Sequence, residues 1–302
     1  MRAQARGQGM AGFDSWDEIR IAYHVARAGT VSGAAEMLGV HHATVIRHVD
    51  ALEGRLGLRL FQRHARGYTP TEAGAELLQV ARATDEKFAQ LAVRMGVGGT
   101  EVGGDLTVTA IPELTRFLAP ALIRFQDAHP GVVVRLMTDP RVFRLEYGEA
   151  HLAIRAGPQP AEPDNVVQPF GQIRHAMWGA PSYVRVHGLP ASDGELPEHR
   201  FVGPERPDSP VACLRWLAAH VPAASIVFRG TDLGALEEAV IAGAGLGFLP
   251  PWRTEGMVPA LPPRPEWDAP LWLVTHVDLH RSAKVQAVLA HLKAEAEDWP
   301  LG

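Results

Sequence analysis

A single cysteine, Cys213, stands in 302 residues, so no internal disulfide can form. That excludes a disulfide-stapled secreted scaffold and fits a reducing compartment, the cytoplasm. Cys213 itself reads as a core residue rather than a reactive thiol. No run approaches the roughly 20 apolar residues that span a bilayer, so a membrane is not an expected partner. The opening MRAQARGQGMAGFDS has arginines but no apolar stretch behind them. It lacks the pattern of a secretory signal and reads as a disordered tail over 1–13, with Met1 or Met10 as the start. Catalytic patterns are equally thin. AGAGLG (242–247) follows a helix and precedes a strand, the reverse of a dinucleotide-binding loop, and suits tight helix-to-strand packing. Ser182 lacks the flanking glycines of a nucleophile elbow. The 14 histidines are scattered, and the neighbours His41 and His42 do not share a helix face, which weakens a metal reading. No enzyme, metal or resident cofactor is expected.

What is present is an ordinary globular composition, 46% hydrophobic and 21% charged, long enough for two or three domains with real cores. The most informative stretch is VSGAAEMLGVHHATVIRHVDALE (31–53). Ala34, Ala35 and Leu38 recur at helical spacing, Gly39 lets the backbone leave the helix, and Val40 can plug the angle that follows. Val45, Val49 and Leu52 then mark a second amphipathic helix. Small alanines allow the close crossing that a helix-turn-helix needs. The outward positions His41, His42, Thr44, Arg47 and His48 suit phosphates and base edges in a major groove. An αα-hairpin inside a larger core has the same periodicity. The next segment, LGLRLFQRHARGYTPTEAG (56–74), favours DNA binding. It alternates apolar and basic residues, turns at Gly67, and reads as a β-ribbon that sets Arg63 and Arg66 beside the second helix.

Charge partitions accordingly. The net charge is −5, yet residues 1–70 hold nine arginines against six acids, leaving +3 there and −8 elsewhere. A cationic module on an acidic body is the asymmetry expected when one domain touches DNA.

Residues Ala34 to Gly74 resemble the winged helix-turn-helix of LysR-type transcriptional regulators. The shared pattern falls on Ala34, Ala35, Leu38, Gly39, Val40, Val45, Arg47, Val49, Leu52, Glu53, Leu56, Gly57, Leu60, Phe61, Arg63, Thr71, Ala73 and Gly74. The family usually has serine where this chain has His41 and Ile46. Histidine is the weaker N-cap, because its side chain does not easily reach the N2 or N3 amide. Ile46 cannot donate to a phosphate and suits a thymine methyl instead. The DNA-contacting set is then Ser32, His41, His42, Thr44, Ile46, Arg47, His48, Arg63 and Arg66, within a module over 14–70.

Residues 71–95 read as one helix of roughly 37 Å, capped by Thr71. A heptad fits, with Leu77, Thr84 and Leu91 on one seam position and Ala81, Phe88 and Met95 on the other. Such a run is often only core-facing, but between a DNA module and a distant body it favours a dimerising linker. A glycine-rich hinge follows over 96–104.

From 105 onward strands alternate with helices, the mark of an α/β domain with a largely parallel sheet. The strands expected are DLTVT (105–109), a buried GVVVRLM (131–137), HLAI (151–154), MWGAPSYV (177–184, a strand running into a turn), FVG (201–203), 226–229, 247–249 and LWLVTH (271–276). Helices are expected over 116–129, around 232–242 and over 283–296. This order resembles the family's effector-binding domain, a periplasmic-binding-protein-like pair of α/β lobes, with lobe I about 105–170 and 266–302 and lobe II about 171–265. The resemblance implies an α+β multi-domain chain and a regulator that binds double-stranded DNA. It also implies a small-molecule effector and self-association as homodimer or tetramer, with RNA polymerase as a further partner.

Ligand crevices lie beyond the carboxyl ends of strands and between lobes. That rule selects Ile111, Pro112, Glu113, Thr138, Asp139 and Arg155 on one lobe, and Gly203, Thr231 and Asp232 on the other. Arg155 suits a carboxylate ligand. Alternatively, Glu113 and Asp139 hold Arg155 in a structural salt bridge, or select a cationic or hydroxylated ligand. The rival from another class is a solute-binding or enzymatic body whose first module only dimerises.

Overall fold

A computed structural model describes residues 15–64, 67–94, 102–138 and 143–301. They divide near residue 100 into two compact units.

The first unit runs α1 (Trp16–Ala28), α2 (Val31–Leu38), α3 (His42–Leu56), β1 (Phe61–His64), β2 (Gly67–Pro70) and α4 (Glu72–Arg94). Its core joins Ile21, Ala22 and Val25 of α1 to Ala34 and Ala35 of α2 and to Val45, Val49 and Leu52 of α3, closed by Leu60 and Phe61. Each large side chain buried there contributes about 1.5–3 kcal/mol. Helix α1 was not evident in the motif pattern, yet it supplies one wall of this core. Thr30 caps α2 by accepting from the Gly33 amide at 3.1 Å. Gly39 ends α2 at φ 64, a left-handed conformation that costs glycine little. Val40 does not plug the turn, being 37% exposed; Leu38 packs against the core instead.

The β-ribbon forms as an antiparallel pair with Phe61 opposite Pro70 and His64 opposite Gly67. Gly67 sits at φ 143, and a Cβ there would come within 2.2 Å of the Gly29 carbonyl oxygen. The close approach lets the Tyr68 amide donate to that same carbonyl at 2.8 Å. Thr71 starts α4 by accepting from the Gly74 amide at 3.1 Å while donating to the Arg59 carbonyl.

Part of the heptad seam on α4 is used inside the chain. Ala81 is buried, Leu77 packs on the first core, and Phe88 meets Trp16 edge-on at 5.5 Å between centroids. The Thr84 hydroxyl donates back to the Val80 carbonyl. An apolar stripe of this period packs on a neighbouring helix of its own chain as readily as on a copy. The Leu91 side chain, Met95, the tail over 1–13 and the hinge residues 96–101 lie outside the described residues.

The second unit begins with β3 (Gly104–Ala110), α5 (Thr115–Ala128), β4 (Val132–Met137), β5 (Leu152–Ala156) and β6 (Asn165–Ile173). It continues through β7 (Ala176–Gly179), α6 (Pro181–His187), β8 (Phe201–Pro204), α7 (Ala212–His220), β9 (Ile226–Gly230) and α8 (Leu233–Ile241). It closes with β10 (Gly247–Leu249), β11 (Val258–Pro259), β12 (Ala269–His276), α9 (Val277–His280) and α10 (Ala283–Ala296). One lobe carries a five-stranded sheet of order β4-β3-β5-β12-β6, the other a three-stranded β10-β7-β11 and the pair β8-β9. Two separate cores match these lobes, one around Leu118, Phe125 and Leu271, the other around Phe201, Leu217 and Trp267.

The five-stranded sheet is mixed and the three-stranded one antiparallel, so the domain is not built on a largely parallel sheet. β3 pairs in parallel with β4 and β5, but β12 runs antiparallel to both β5 and β6. The reason is connectivity, since β6 leaves the first lobe and β12 returns to it instead of crossing over a helix. Strand β6 and helix α7 had no periodic signature strong enough to be read in advance. β4 is an edge strand with every second residue turned outward, and Val133 is 54% exposed, so it is not a buried strand.

Candidate nucleic-acid interface and ligand crevice

Helix α3 buries Val45, Val49 and Leu52 and thereby turns its other faces outward. Ser32, His41, His42 and Arg47 are exposed, while Thr44 and His48 are half-buried. Arg47 has no carboxylate partner among the described residues. His41 caps α3 through Nδ1, which accepts from the Ala43 amide at 3.4 Å. Histidine thus reaches the N2 amide after all, with a long bond. Ile46 is half-buried and packs against the helix-turn-helix core, so its role as a free thymine-methyl contact needs correction: the core takes part of its side chain. Arg66 lies outside the described residues.

Arg63 is braced inside the module. It donates to Asp50 Oδ1 at 2.5 Å and to Glu53 Oε2 at 2.8 Å, and its guanidinium lies over the Tyr68 ring, 5.4 Å from the centroid. Hydrogen bonding to Asp50 pushes its already high pKa further up. A phosphate reaching Arg63 therefore exchanges for a carboxylate. A second ion pair, Arg55 with Glu18, ties α3 to α1 and holds the Glu18 carboxyl below its ordinary range.

In the second unit the chain brings Glu113 of one lobe close to Asp232 and Glu237 of the other. Glu113 follows β3, and burial pushes its carboxyl up, with the Asp232 charge adding to the effect. Asp232 caps α8 by accepting from the Ala235 amide at 2.8 Å. Glu237 is buried on α8 and its pKa is pushed up to about 7 by burial, against the opposing charge of Arg253 and with further repulsion from Glu113, Glu238 and Asp232. Arg253 holds both Glu237, at 3.3 Å, and Glu238. Beside it, Trp252 meets Phe117 edge-on at 5.1 Å, and its carbonyl accepts from Arg116 at 3.3 Å. The lobes thus meet along a half-buried, predominantly acidic seam.

Several expected crevice residues stand differently. Arg155 is not held by Glu113; it donates to Glu162 at 2.9 Å and to the Phe143 carbonyl at 3.3 Å. Its charge is engaged next to its own strand, which removes it as a ready carboxylate clamp. Gly203 is buried in β8, where a Cβ would come within 2.8 Å of Leu217 and 3.1 Å of Ile226, so it serves packing rather than the crevice. Pro112 and Thr231 are exposed, Thr138 is half-buried, and Ile111 packs partly into the core. Asp139 lies outside the described residues. Glu237, Arg253, Arg116 and Trp252 were missed. The available signal was an acid, Glu237, on the buried stripe that Leu236 and Val240 mark on α8.

Cys213 is fully buried and its thiol is pushed up to about 12, which leaves it inert as a nucleophile. No cluster of potential metal ligands occurs among the described residues, and none of their helices is long and apolar enough to cross a membrane.

A half-exposed second helix that presents Arg47, with a docked β-ribbon, joined in one chain to a two-lobed α/β body, is the architecture of a DNA-binding regulator with a ligand-sensing domain. The family model of bacterial regulatory helix-turn-helix proteins of the lysR family matches residues 16–75. The model of the LysR substrate binding domain matches residues 99–297. The HTH-type transcriptional regulator CrgA of Neisseria meningitidis serogroup B is 28% identical over 194 residues, 64% of this chain and 64% of that protein. The match thus spans a little under two thirds of that relative's length. The probable HTH-type transcriptional regulator LtrA of Klebsiella pneumoniae is 25% identical over 294 residues, 91% of this chain and 93% of that protein. The solved structure of Neisseria meningitidis CrgA, a LysR-type transcriptional regulator, superposes with TM-score 0.55 at 22% identity, covering 93% of this chain and 99% of that one; this likeness speaks to the fold alone. The chain belongs to the LysR family of DNA-binding transcriptional regulators, proteins that pair a helix-turn-helix with an effector-binding domain and are not enzymes.

Proposed function

We propose that this chain works in the cytoplasm as a one-component, ligand-responsive regulator. Its helix-turn-helix module over 14–70 binds double-stranded DNA as a homodimer or tetramer through α3 and the ribbon. Ser32, His41, His42, Thr44, Arg47 and His48 face the groove, with Arg63 and Arg66 alongside the backbone. Two modules give a two-fold site with half-sites about one helical turn apart, or a multiple of that. A small molecule binds between the lobes at the Glu113, Asp232 and Glu237 seam. It shifts the regulator by binding two lobe arrangements with different free energies. RNA polymerase is the downstream partner.

The observation that carries this reading is the exposed Arg47, without a carboxylate partner among the described residues, on a helix whose opposite face is locked into the core. The acidic seam supports a cationic or hydroxylated ligand over a carboxylate, because Arg155 is already paired. A mobility-shift titration of the full chain on DNA upstream of its own gene tests the reading. A sequence-preferring complex that weakens with salt is expected. No preference at any salt concentration would leave the first module as a dimeriser only.

A further inference from the structure

The geometry points to Glu53 as the positioning residue that keeps the ribbon in register with the recognition helix, and to Asp50 as the carboxylate a DNA phosphate displaces. This inference rests on DNA binding by the module. Glu53 lies on the buried stripe of α3 and is 5% exposed. Its two oxygens divide their work. Oε1 accepts from the amides of Leu60 at 2.8 Å and Phe61 at 3.1 Å, the residue just before β1 and the one that opens it. Oε2 accepts from Arg59 and from Arg63, each at 2.8 Å. Burial alone would raise the carboxyl, yet these four donors outweigh it and hold Glu53 below its ordinary range. Four donors satisfy the carboxylate, so its buried charge is compensated only while the ribbon stays docked.

The second strand is pinned independently, by the Tyr68 amide on the Gly29 carbonyl. Two anchors, one on each strand, hold the ribbon against the helices. The same Arg63 nitrogen that meets Glu53 also meets Asp50, one turn earlier on α3 and half-exposed. Asp50 is three residues beyond Arg47, and residues at that spacing share a helix face. Glu53 therefore places Arg63 one turn from the free Arg47. The two carboxylates are unequal partners. An exposed ion pair is weakly held and easily exchanged, whereas leaving Glu53 unpaired would strand a buried charge. A phosphate approaching this face takes Arg63 from Asp50, while Glu53 keeps the ribbon in place.

The test uses the full chain and a duplex that the wild-type protein selects from a random library. Asp50→Asn should bind this duplex about 3–10-fold more tightly, since Arg63 no longer leaves a carboxylate and one negative charge leaves the interface. Affinity that is unchanged or weaker overturns the role of Asp50. Glu53→Gln keeps an acceptor for the two amides but turns an NH2 group toward the arginines. It should lower specific affinity about 10-fold and erase hydroxyl-radical protection at the flanks of each half-site, while central protection persists. Flank protection equal to wild type overturns the role of Glu53. Should that variant not fold, amide exchange on the wild-type protein decides. The Leu60 and Phe61 amides are expected to stay protected both free and on DNA, and exchange at loop rates in either state overturns the proposal.

Discussion

The helix-turn-helix unit and the two-lobed unit build their sites in opposite ways. In the first, every residue proposed to face DNA comes from the stretch between Ser32 and Arg66. The carboxylates that organise it, Asp50 and Glu53, lie on the recognition helix itself. In the second, the seam draws Glu113 from one lobe and Asp232, Glu237 and Arg253 from the other. The first site pairs its buried charge completely. The second leaves acids partly uncompensated, with Arg253 shared between two of them. A surface that must be rigid and repetitive is preorganised, whereas a seam that responds to a ligand retains free energy for the ligand to relieve.

Breaking the core of the first unit gives the largest effect. Leu52 is fully buried, and Leu52→Ala should cost about 2–5 kcal/mol. Calorimetry should show one transition lowered and a second, from the two-lobed unit, unmoved. A single transition that shifts as a whole would show that the two units are energetically one.

Next in size, Arg47→Ala should weaken DNA binding by about 1–3 kcal/mol, roughly 5–150-fold. Thermal stability and self-association should be unchanged. Loss of folding or association would make Arg47 structural and blur the contrast between a free and a braced arginine.

The smallest effect sharpens the other side of the comparison. Glu237 has its pKa raised to about 7 in the folded protein from an ordinary value of 4.5. Its contribution to stability is therefore fully present below about 4.5 and lost as pH rises through about 7. Glu237→Gln does not titrate, so its advantage over wild type should grow with pH. A melting temperature about 2–4 °C higher at pH 8 is expected, shrinking toward zero near pH 4.5. A constant difference across that range would mean the seam is already compensated.

How much of this was legible in the chain follows from the range of each interaction. The crossing of α2 and α3 was readable because Ala34, Ala35, Gly39, Val45 and Val49 act on neighbours a few residues away. The ribbon was readable from its alternation and from Gly67. Glu53 appeared only as part of a family pattern, since its bonds to Leu60, Phe61 and Arg63 depend on where the ribbon docks. The rim residues Glu113 and Asp232 could be reached from the rule that ligands sit beyond strand ends. Glu237 and Arg253 could not, because a buried carboxylate on a mostly apolar helix shows no partner until the segment that follows β10 folds back and brings Arg253 to it. Arg155 illustrates the limit most clearly. Glu162 is only seven residues away in sequence, yet the chain had suggested a carboxylate ligand, or Glu113 and Asp139, as partners for Arg155.

Periodicity, capping and charge asymmetry along the chain settled most of the elements, their order and the cationic excess of residues 1–70, because those depend on short-range geometry and on composition. Folding in three dimensions chose the partners. It assigned Arg63 to Asp50 and Glu53, turned Ile46 partly into the core, and folded the Ala81 face of the long helix inward. It also made the sheet mixed and set the lobe acids against one another. Each of these is a competition among several compatible groups, and only distance and burial in the folded state decide which group wins.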